Sequence, residues 1–495
     1  MDELINSISN LVWSQALIAL CGLAGLYFTI RLRFIQITQI KNMLRLLFSS
    51  QNSKEGITPF QAFSLAISGR VGTGNIIGVA TAIAMGGPGA IFWMWIIAFI
   101  GSTSAFVEAT LGQVYKQEVD GQYRGGPAYY IEKGLGIKWY AVLFAIITII
   151  SCGLLLPGIQ SNSIYSSINN IIKVDIYHIA GIPFNIIGLI IIILLGIIII
   201  GGVKRLGKTS ELIVPFMAGA YIIMSIIIVA YHYERIPETL SLIVRSAFNS
   251  EPLYGGVFGY AIAWGVKRGI YSNEAGQGTA PHVAAAAEVR HPAEQGLVQA
   301  FSVYVDTLFV CTMTAFMILF TGKYNVNNPE TTNQYITENL PGIDYTGFTQ
   351  AAVSSHFPSF GNTFVAAALF FFAFTTIMAY YYYAETNITY IFQKKKNKKI
   401  YICILRVGFL LATYYGTVKT AETAWAIGDI GVGTMAWVNV IAILLLSNVG
   451  IKVWNDYYKK RKKGIKKPDF DPKAIGINNA LFWEKRINDL NKKQD

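Results

Sequence analysis

Charge is scarce in this 495-residue chain. Asp, Glu, Lys and Arg make up 14% of it, against roughly 25% in an ordinary soluble domain. A soluble chain of this length would fill about three domains and would need more charge to cover its surface. With 53% hydrophobic residues, the sequence reads as a polytopic membrane protein; disordered and small disulfide-scaffold classes are excluded. Cysteine is scarce as well. Cys21, Cys152, Cys311 and Cys403 all sit in apolar runs without a CxxC pair, which reads as buried free thiols. Histidine is sparse and scattered: His178, His232, His282, His291 and His356 never fall at the i, i+4 spacing that would place two imidazoles on one helix face. No Cys or His metal-ligand spacing appears. The start, Met1-Asp2-Glu3-Leu4, is acidic and lacks the basic region of a cleaved signal peptide.

What is present is apolar length. A spanning helix needs about 20 apolar residues, and eleven segments qualify, near 11–30, 59–84, 88–115, 139–170, 183–202, 209–231, 254–287, 294–321, 361–391, 399–416 and 423–449. The one long loop, 322–360, has room for a short re-entrant or surface helix. The net charge of +12 sorts by loop. One alternate set carries Arg31, Arg33, Lys41, Arg45, Lys54, Lys116, Arg124, Lys133, Lys138, Lys204, Arg205, Lys208, Arg290 and five lysines between Lys394 and Lys399. With the tail from Lys452 onward it holds 31 basic residues, against five (Lys173, Arg235, Arg245, Lys323, Lys419) in the other set. Cytoplasmic loops carry the excess, so the expected topology has the N-terminus outside and the C-terminus inside, which an odd number of spans satisfies. The charge is thus a record of topology, with a secondary attraction of the tail to anionic headgroups, and not a nucleic-acid signal.

Two segments are abnormal as membrane helices. Ser68-Gly-Arg-Val-Gly-Thr-Gly-Asn-Ile-Ile-Gly78 puts four glycines and an arginine inside the second segment, and Trp264-Gly-Val-Lys-Arg-Gly-Ile-Tyr-Ser-Asn-Glu-Ala-Gly-Gln-Gly-Thr-Ala-Pro281 does the same in the seventh. Each interior glycine costs a helix about 1 kcal/mol relative to alanine, and unwound backbone survives in hydrocarbon only where it lines a cavity or holds a ligand. The two breaks lie five segments apart. Five is odd, so segments two to six and seven to eleven run in opposite senses, the pattern of an inverted-repeat transporter with its site at the midplane. The expected divisions are a peripheral helix and basic loop (1–56), a first five-helix repeat (57–231), a second (232–450) and a basic tail (451–495).

The chemistry of the first break follows from helix ends. A helix stopping near Val71 and restarting near Asn75 offers bare N–H groups at Gly72, Thr73, Gly74 and Asn75, where a carboxylate belongs. The carbonyls freed from Ser68 to Val71 suit a cation. The glycines at 72, 74 and 78 miss the GxGxxG phosphate-loop spacing. Arg70, Glu108, Lys267, Arg268, Glu274 and Asp306 are charges within or near spans, and intramembrane charges are functional candidates. They either pair structurally, as Arg70 with Glu274 or Asp306, or act in gating and ion coupling. Glu108 and Asp306 each follow an asparagine, Asn75 and Asn273, by 33 residues. Gln160 and Asn162 either bridge helices or hydrogen-bond a polar substrate. Thr375 and Thr376 lie among aromatics, where they either back-bond to their helix or, facing the carbonyls of Ser68 and Val71, complete a sodium site. Tyr380, one turn on, could wall a substrate cavity. A channel would need a charged ring or filter motif, and an enzyme a nucleophile with its base or a metal cluster; none is visible, so no enzyme activity is expected.

These stretches resemble the alanine or glycine:cation symporter family. The resemblance rests on Arg70-Val-Gly-Thr-Gly-Asn-Ile-Ile-Gly-Val-Ala, Gly86-Gly-Pro-Gly-Ala-Ile-Phe-Trp-Met-Trp95 and Gly125-Gly-Pro-Ala-Tyr-Tyr130. It continues through Lys267-Arg-Gly-Ile-Tyr-Ser-Asn-Glu-Ala-Gly-Gln-Gly278, His291-Pro-Ala-Glu-Gln-Gly296 and Phe374-Thr-Thr376, in order from about residue 60 to 450. It implies an all-α, leucine-transporter-like fold of five-plus-five inverted repeats with one added N-terminal helix, in a multi-pass cell-membrane protein of prokaryotic type. It implies sodium- or proton-driven uptake of alanine, glycine and related small neutral amino acids, with sodium as coupling ion and no other cofactor. Residue by residue, the substrate carboxylate maps onto Val71 to Asn75, sodium onto Ser68, Val71, Thr375 and Thr376, and the family's glutamine onto Gln160. Gly269, Ser272, Asn273 and Tyr380 complete the implied substrate site, and Arg70, Glu108, Glu274 and Asp306 a gating or charge network. Where family members commonly carry Gly-Trp after the Thr-Thr-Ile-x run, this chain has Ala379-Tyr380, and Pro157 stands just before Gln160 in place of a typical Gly-Asn context.

Overall fold

The computed structural model describes residues 2–49, 55–179, 182–329, 331 and 334–491; Lys54, Lys492 and Lys493 of the basic count lie outside the described residues. The described chain is almost wholly helical, with three two-stranded hairpins on its loops. Eight helices in it are long and apolar enough to cross a membrane: Leu4–Arg31, Gly89–Val114, Lys138–Ile172, Gly202–Tyr231, Pro292–Thr321, Gly361–Phe392, Lys398–Gly416 and Ala421–Leu445. The remaining apolar segments hold a shorter helix, Ile186–Ile199, and the two interrupted helices, Pro59–Arg70 with Gly74–Gly86 and Phe258–Asn273 with Ala280–Ala286.

Local chemistry accounts for the boundaries that matter. Pro59 opens the first interrupted helix, where Thr58 and Gln61 form a reciprocal capping box: Gln61 N–H donates to Thr58 Oγ1 (3.0 Å) and Thr58 N–H to Gln61 Oε1 (3.2 Å). His291 caps Pro292–Val303 by accepting from Ala293 N–H at 3.2 Å. Pro157 has no N–H to give the preceding turn, and the helix widens there into a π turn over Ser151–Leu155. The loop 322–360 carries a hairpin, Asn325–Asn327 with Tyr335–Glu338, and a short helix, Phe348–Ser354.

Alternate loops meet at opposite ends of the bundle. At the basic end, Ile57 pairs with the chain at Ala286 and Glu288 (3.0 and 2.9 Å), Lys116 Nζ donates to Ala287 O (3.0 Å), and Lys398 pairs with Asp120. At the other end, Arg235 reaches Phe320 O (3.0 Å) and Asn185 reaches Thr417 O (3.0 Å). The basic tail is folded onto its end: a helix Ser447–Lys462 is followed by Leu481–Asn491, whose Trp483 is buried and donates to Gln113 O at 2.8 Å. Arg486 pairs there with Glu288 (2.6 Å). Burial alone would raise the Glu288 carboxyl, but Lys116 and Arg486 hold it below its usual range.

Candidate functional site

The first break begins at Val71, whose ψ of 88° leaves the helix, and a wide π turn over Gly74–Gly78 resumes it. Its amides are not bare. Gly72 N–H donates to Asn75 Oδ1 at 2.9 Å, and Thr73 N–H donates to Gln160 Oε1 at 3.2 Å. Two side-chain amide oxygens thus occupy the positive helix end where a carboxylate was expected. Gly72 is required by close approach: a Cβ there would lie 2.5 Å from Thr376 Oγ1 and 3.0 Å from Gln160 Oε1. A Cβ on Gly74 would stand 3.0 Å from Tyr271, whose ring leans on Trp425 at 5.1 Å.

On the other side of the break, oxygens converge. Thr376 Oγ1 is 2.7 Å from Ser68 O, 3.4 Å from Val71 O and 2.9 Å from Phe372 O. Three carbonyl oxygens, two from the first break and one from the helix of Thr376 itself, therefore surround its hydroxyl. Thr375 does not join them. Its hydroxyl donates to Phe371 O and Phe372 O of its own helix and faces Met217, the back-bonding that threonine favours in helices. Thr376 back-bonds to Phe372 O in the same way but also reaches Ser68 O across the break.

The second break is shaped by left-handed backbone at Glu274 (φ 55°), Gly276 (φ 86°) and Gly278 (φ 83°), conformations that favour glycine. Each break is braced from the other half of the chain. Asp306 accepts from Asn75 Nδ2 (2.6 Å) and Ser272 Oγ (2.8 Å), so it ties both interrupted helices together. Glu108 accepts from Gly278 N–H (3.1 Å) and Asn439 Nδ2 (2.9 Å). The carboxylate that follows each asparagine by 33 residues thus serves the opposite break.

The remaining charges are distributed differently from the sequence expectation. Arg70 pairs with neither Glu274 nor Asp306; it donates to Gln299 O (3.2 Å) and to Ser302, while its Nε and Nη2 are buried without a hydrogen-bond partner among the described residues. Neither oxygen of Glu274 accepts a well-formed hydrogen bond, although it is 1% exposed. Lys267 and Arg268 converge on Asp429, Arg268 through two bonds of 2.9 Å and Lys267 at 2.8 Å. The guanidinium lies 4.6 Å from the Trp425 ring and 5.1 Å from Trp264. Asp429 was missed in the sequence. The signal was available, because it is a lone acid in an apolar span, the same rule that flagged Glu108. Asn439, which bonds Glu108, Gly276 O and Tyr130, was missed too, although it is an amide in an apolar span like Gln160 and Asn162. Asn162 is a helix bridge, donating to Gly416 O and Lys419 O. Gly269 allows close packing on Ile97 and Met94. Asn273 accepts from Ala275 N–H (2.9 Å), and Tyr380 is buried with its ring 6.2 Å from Tyr383.

A family model described as the sodium:alanine symporter family matches residues 1–472. The chain belongs to that family. It is 55% identical over 486 residues to the carrier protein YrbD of Bacillus subtilis (strain 168), covering 98% of each chain. It is 49% identical over 443 residues to the sodium/proton-dependent alanine carrier protein of Bacillus sp. (strain PS3), covering 89% of this chain and 97% of that one. GlnT of Bacillus subtilis, whose name assigns it sodium and glutamine, is 42% identical over 483 residues, 97% of this chain and 95% of its own. Among solved structures, MhsT in complex with L-phenylalanine aligns with a TM-score of 0.52 at 13% identity, over 81% of this chain and 99% of that one. That likeness shows a shared fold. Membership of the sodium:alanine symporter family makes the chain a multi-pass membrane transporter, consistent with its apolar helices.

Proposed function

We propose that this symporter couples sodium entry to uptake of alanine or glycine by alternating access around the two breaks. The observation that carries the reading is the first break, where the Thr376 hydroxyl meets Ser68 O and Val71 O while Gln160 caps the Thr73 amide beside them. Sodium takes the oxygens. The substrate carboxylate takes the N–H groups from Gly72 to Asn75, displacing the Gln160 oxygen, and Gln160 then turns to the substrate. Tyr271, Trp425 and Tyr380 would wall the side-chain end of the substrate and restrict it to a small group. Eleven spans, an outside N-terminus and an inside C-terminus, with repeats over 57–231 and 232–450, are supported by the gathering of alternate loops at opposite ends and by the reciprocal bracing of Glu108 and Asp306.

Reconstituted vesicles should accumulate radiolabelled alanine or glycine under an inward sodium gradient and lose that accumulation when sodium is absent inside and out. A second reading, proton coupling, is favoured by the buried Glu274 carboxyl, which has no ion-pair partner among the described residues. Uptake driven by a pH gradient and indifferent to sodium would select it. Competition by glutamine stronger than by alanine would move the substrate to the larger class named in one relative.

Thr376→Ala should raise the sodium concentration for half-maximal uptake about 10-fold, since a bond to a charged group is worth about 1.5–3 kcal/mol. Thr375→Ala should leave that concentration near the wild-type value. Equal effects of the two substitutions would remove Thr376 from its special place.

A further inference from the structure

We infer that the cleft between the helices Ile40–Leu47 and Ser447–Lys462 binds the headgroup of an anionic phospholipid. The cleft measures about 520 Å³ and is lined by Lys41, Arg45, Arg461 and Lys462, together with Asn42 and Tyr458 among its polar residues. No carboxylate lines it. None of its four cations takes part in an ion pair among the described residues. The nearby acids are engaged elsewhere: Asp456 with His291 and Lys460, Asp469 with Arg290. Like charges gathered around one cavity repel unless an anion enters it.

What makes that anion a lipid is the other face of the same helix. Met43, Leu46 and Leu47 are buried against the body of the protein. Ile40, Leu44 and Phe48, at spacing i, i+4, i+8, are 39%, 42% and 75% exposed. Lys41 and Arg45 follow one residue behind, so an apolar row and a cationic row run side by side along the exposed surface. This is the arrangement of a helix lying in the headgroup boundary, with its apolar row in the acyl region and its cations at the phosphates. The depth agrees. The first span ends at Arg31, Phe34 and Ile37 are exposed just after it, and Arg33 sits 5.9 Å from the ring of Tyr458 in the cleft wall. A phosphate in the cleft would meet four cations while its acyl chains lie along Ile40 and Leu44. A soluble phosphate would use the first feature and leave the second unexplained.

The test uses the full chain purified in neutral detergent, with bound lipid counted by native mass spectrometry and thermal melting read in parallel. Phosphatidylglycerol is expected to be retained and to raise the melting temperature, whereas phosphatidylcholine and inorganic phosphate are not. Lys41→Gln, Arg45→Gln and Arg461→Gln should each weaken phosphatidylglycerol binding by about 5-fold, the loss expected for one basic residue at an anionic surface. Lys323→Gln, at the opposite end, should not. Phosphatidylcholine binding equally well in the wild-type protein would overturn the inference without any variant. Protection by inorganic phosphate alone would assign the cleft to a soluble anion and overturn it too, as would undiminished phosphatidylglycerol binding in the triple variant. These readouts do not depend on the transported substrate or ion, so they stand apart from the uptake assay.

Discussion

Asn75→Ala is expected to cut sodium-driven uptake to about 1% of the wild-type rate, a loss of about 2.7 kcal/mol, and to lower the melting temperature of the purified protein. The side chain serves two masters at once. Its Oδ1 accepts from Gly72 N–H at 2.9 Å, and its Nδ2 donates to Asp306 Oδ1 at 2.6 Å. Alanine leaves a buried amide donor without a partner at about 1–3 kcal/mol, with more for the charged acceptor. The loss is amplified because Asp306 also holds Ser272 of the second interrupted helix, so both breaks slacken together. Uptake assays and melting curves on the same preparation separate the two effects. A variant that melts like wild type yet has lost uptake would make Asn75 a direct substrate ligand; one that retains uptake would take it out of the site.

Asp429→Asn is expected to be the most destabilising single substitution, by about 3–5 kcal/mol, the usual result of removing one partner from a buried ion pair. Here one carboxylate serves two cations, Lys267 and Arg268, and the residue's own carbonyl accepts from Trp13 Nε1 at 2.8 Å. The asparagine would leave both cations buried and unneutralised against Trp264 and Trp425. Loss of the folded protein during purification, or a melting temperature lowered well beyond that of a surface control such as Lys323→Gln, is the outcome anticipated. A variant of wild-type stability would show that the two cations are hydrated in spite of the rings of Trp264 and Trp425 around them. The companion substitution Lys267→Met, which removes the second cation and leaves the bidentate Arg268 pair intact, should cost much less.

Much of this molecule was legible without coordinates. A helix interrupted by Gly72, Gly74 and Gly78 cannot stay regular in hydrocarbon, and a second interruption five segments later implies an inverted partner; both breaks fall where the glycines put them. Glu108 and Asp306, which share a spacing from Asn75 and Asn273, both touch breaks: Glu108 holds the second, and Asp306 ties the first to the second. Other readings changed. Arg70 was expected to meet an acid and instead meets Gln299 and Ser302. Thr375 and Thr376 are indistinguishable as residue types, and both bond their own turn, yet Thr376 alone of the two also reaches the break. Adjacent residues on a helix point about 100° apart, so only the rotation of Gly361–Phe392 against Pro59–Arg70 decides which hydroxyl arrives.

The sequence by itself determined the solvent, the helical content, the two breaks, the division of basic loops and the family, because each depends on composition or on spacing along one chain. Tertiary structure alone decided which atoms meet: Asp429 between Lys267 and Arg268, Asn439 on Glu108, Ser68 O beside Thr376, and the cationic cleft formed where two distant helices converge. The reason is one of range. Helix formation and membrane partition are settled within about 20 residues, whereas buried polar groups find partners hundreds of residues away, and many partners of the right chemistry compete until the packing of the helices leaves one within reach.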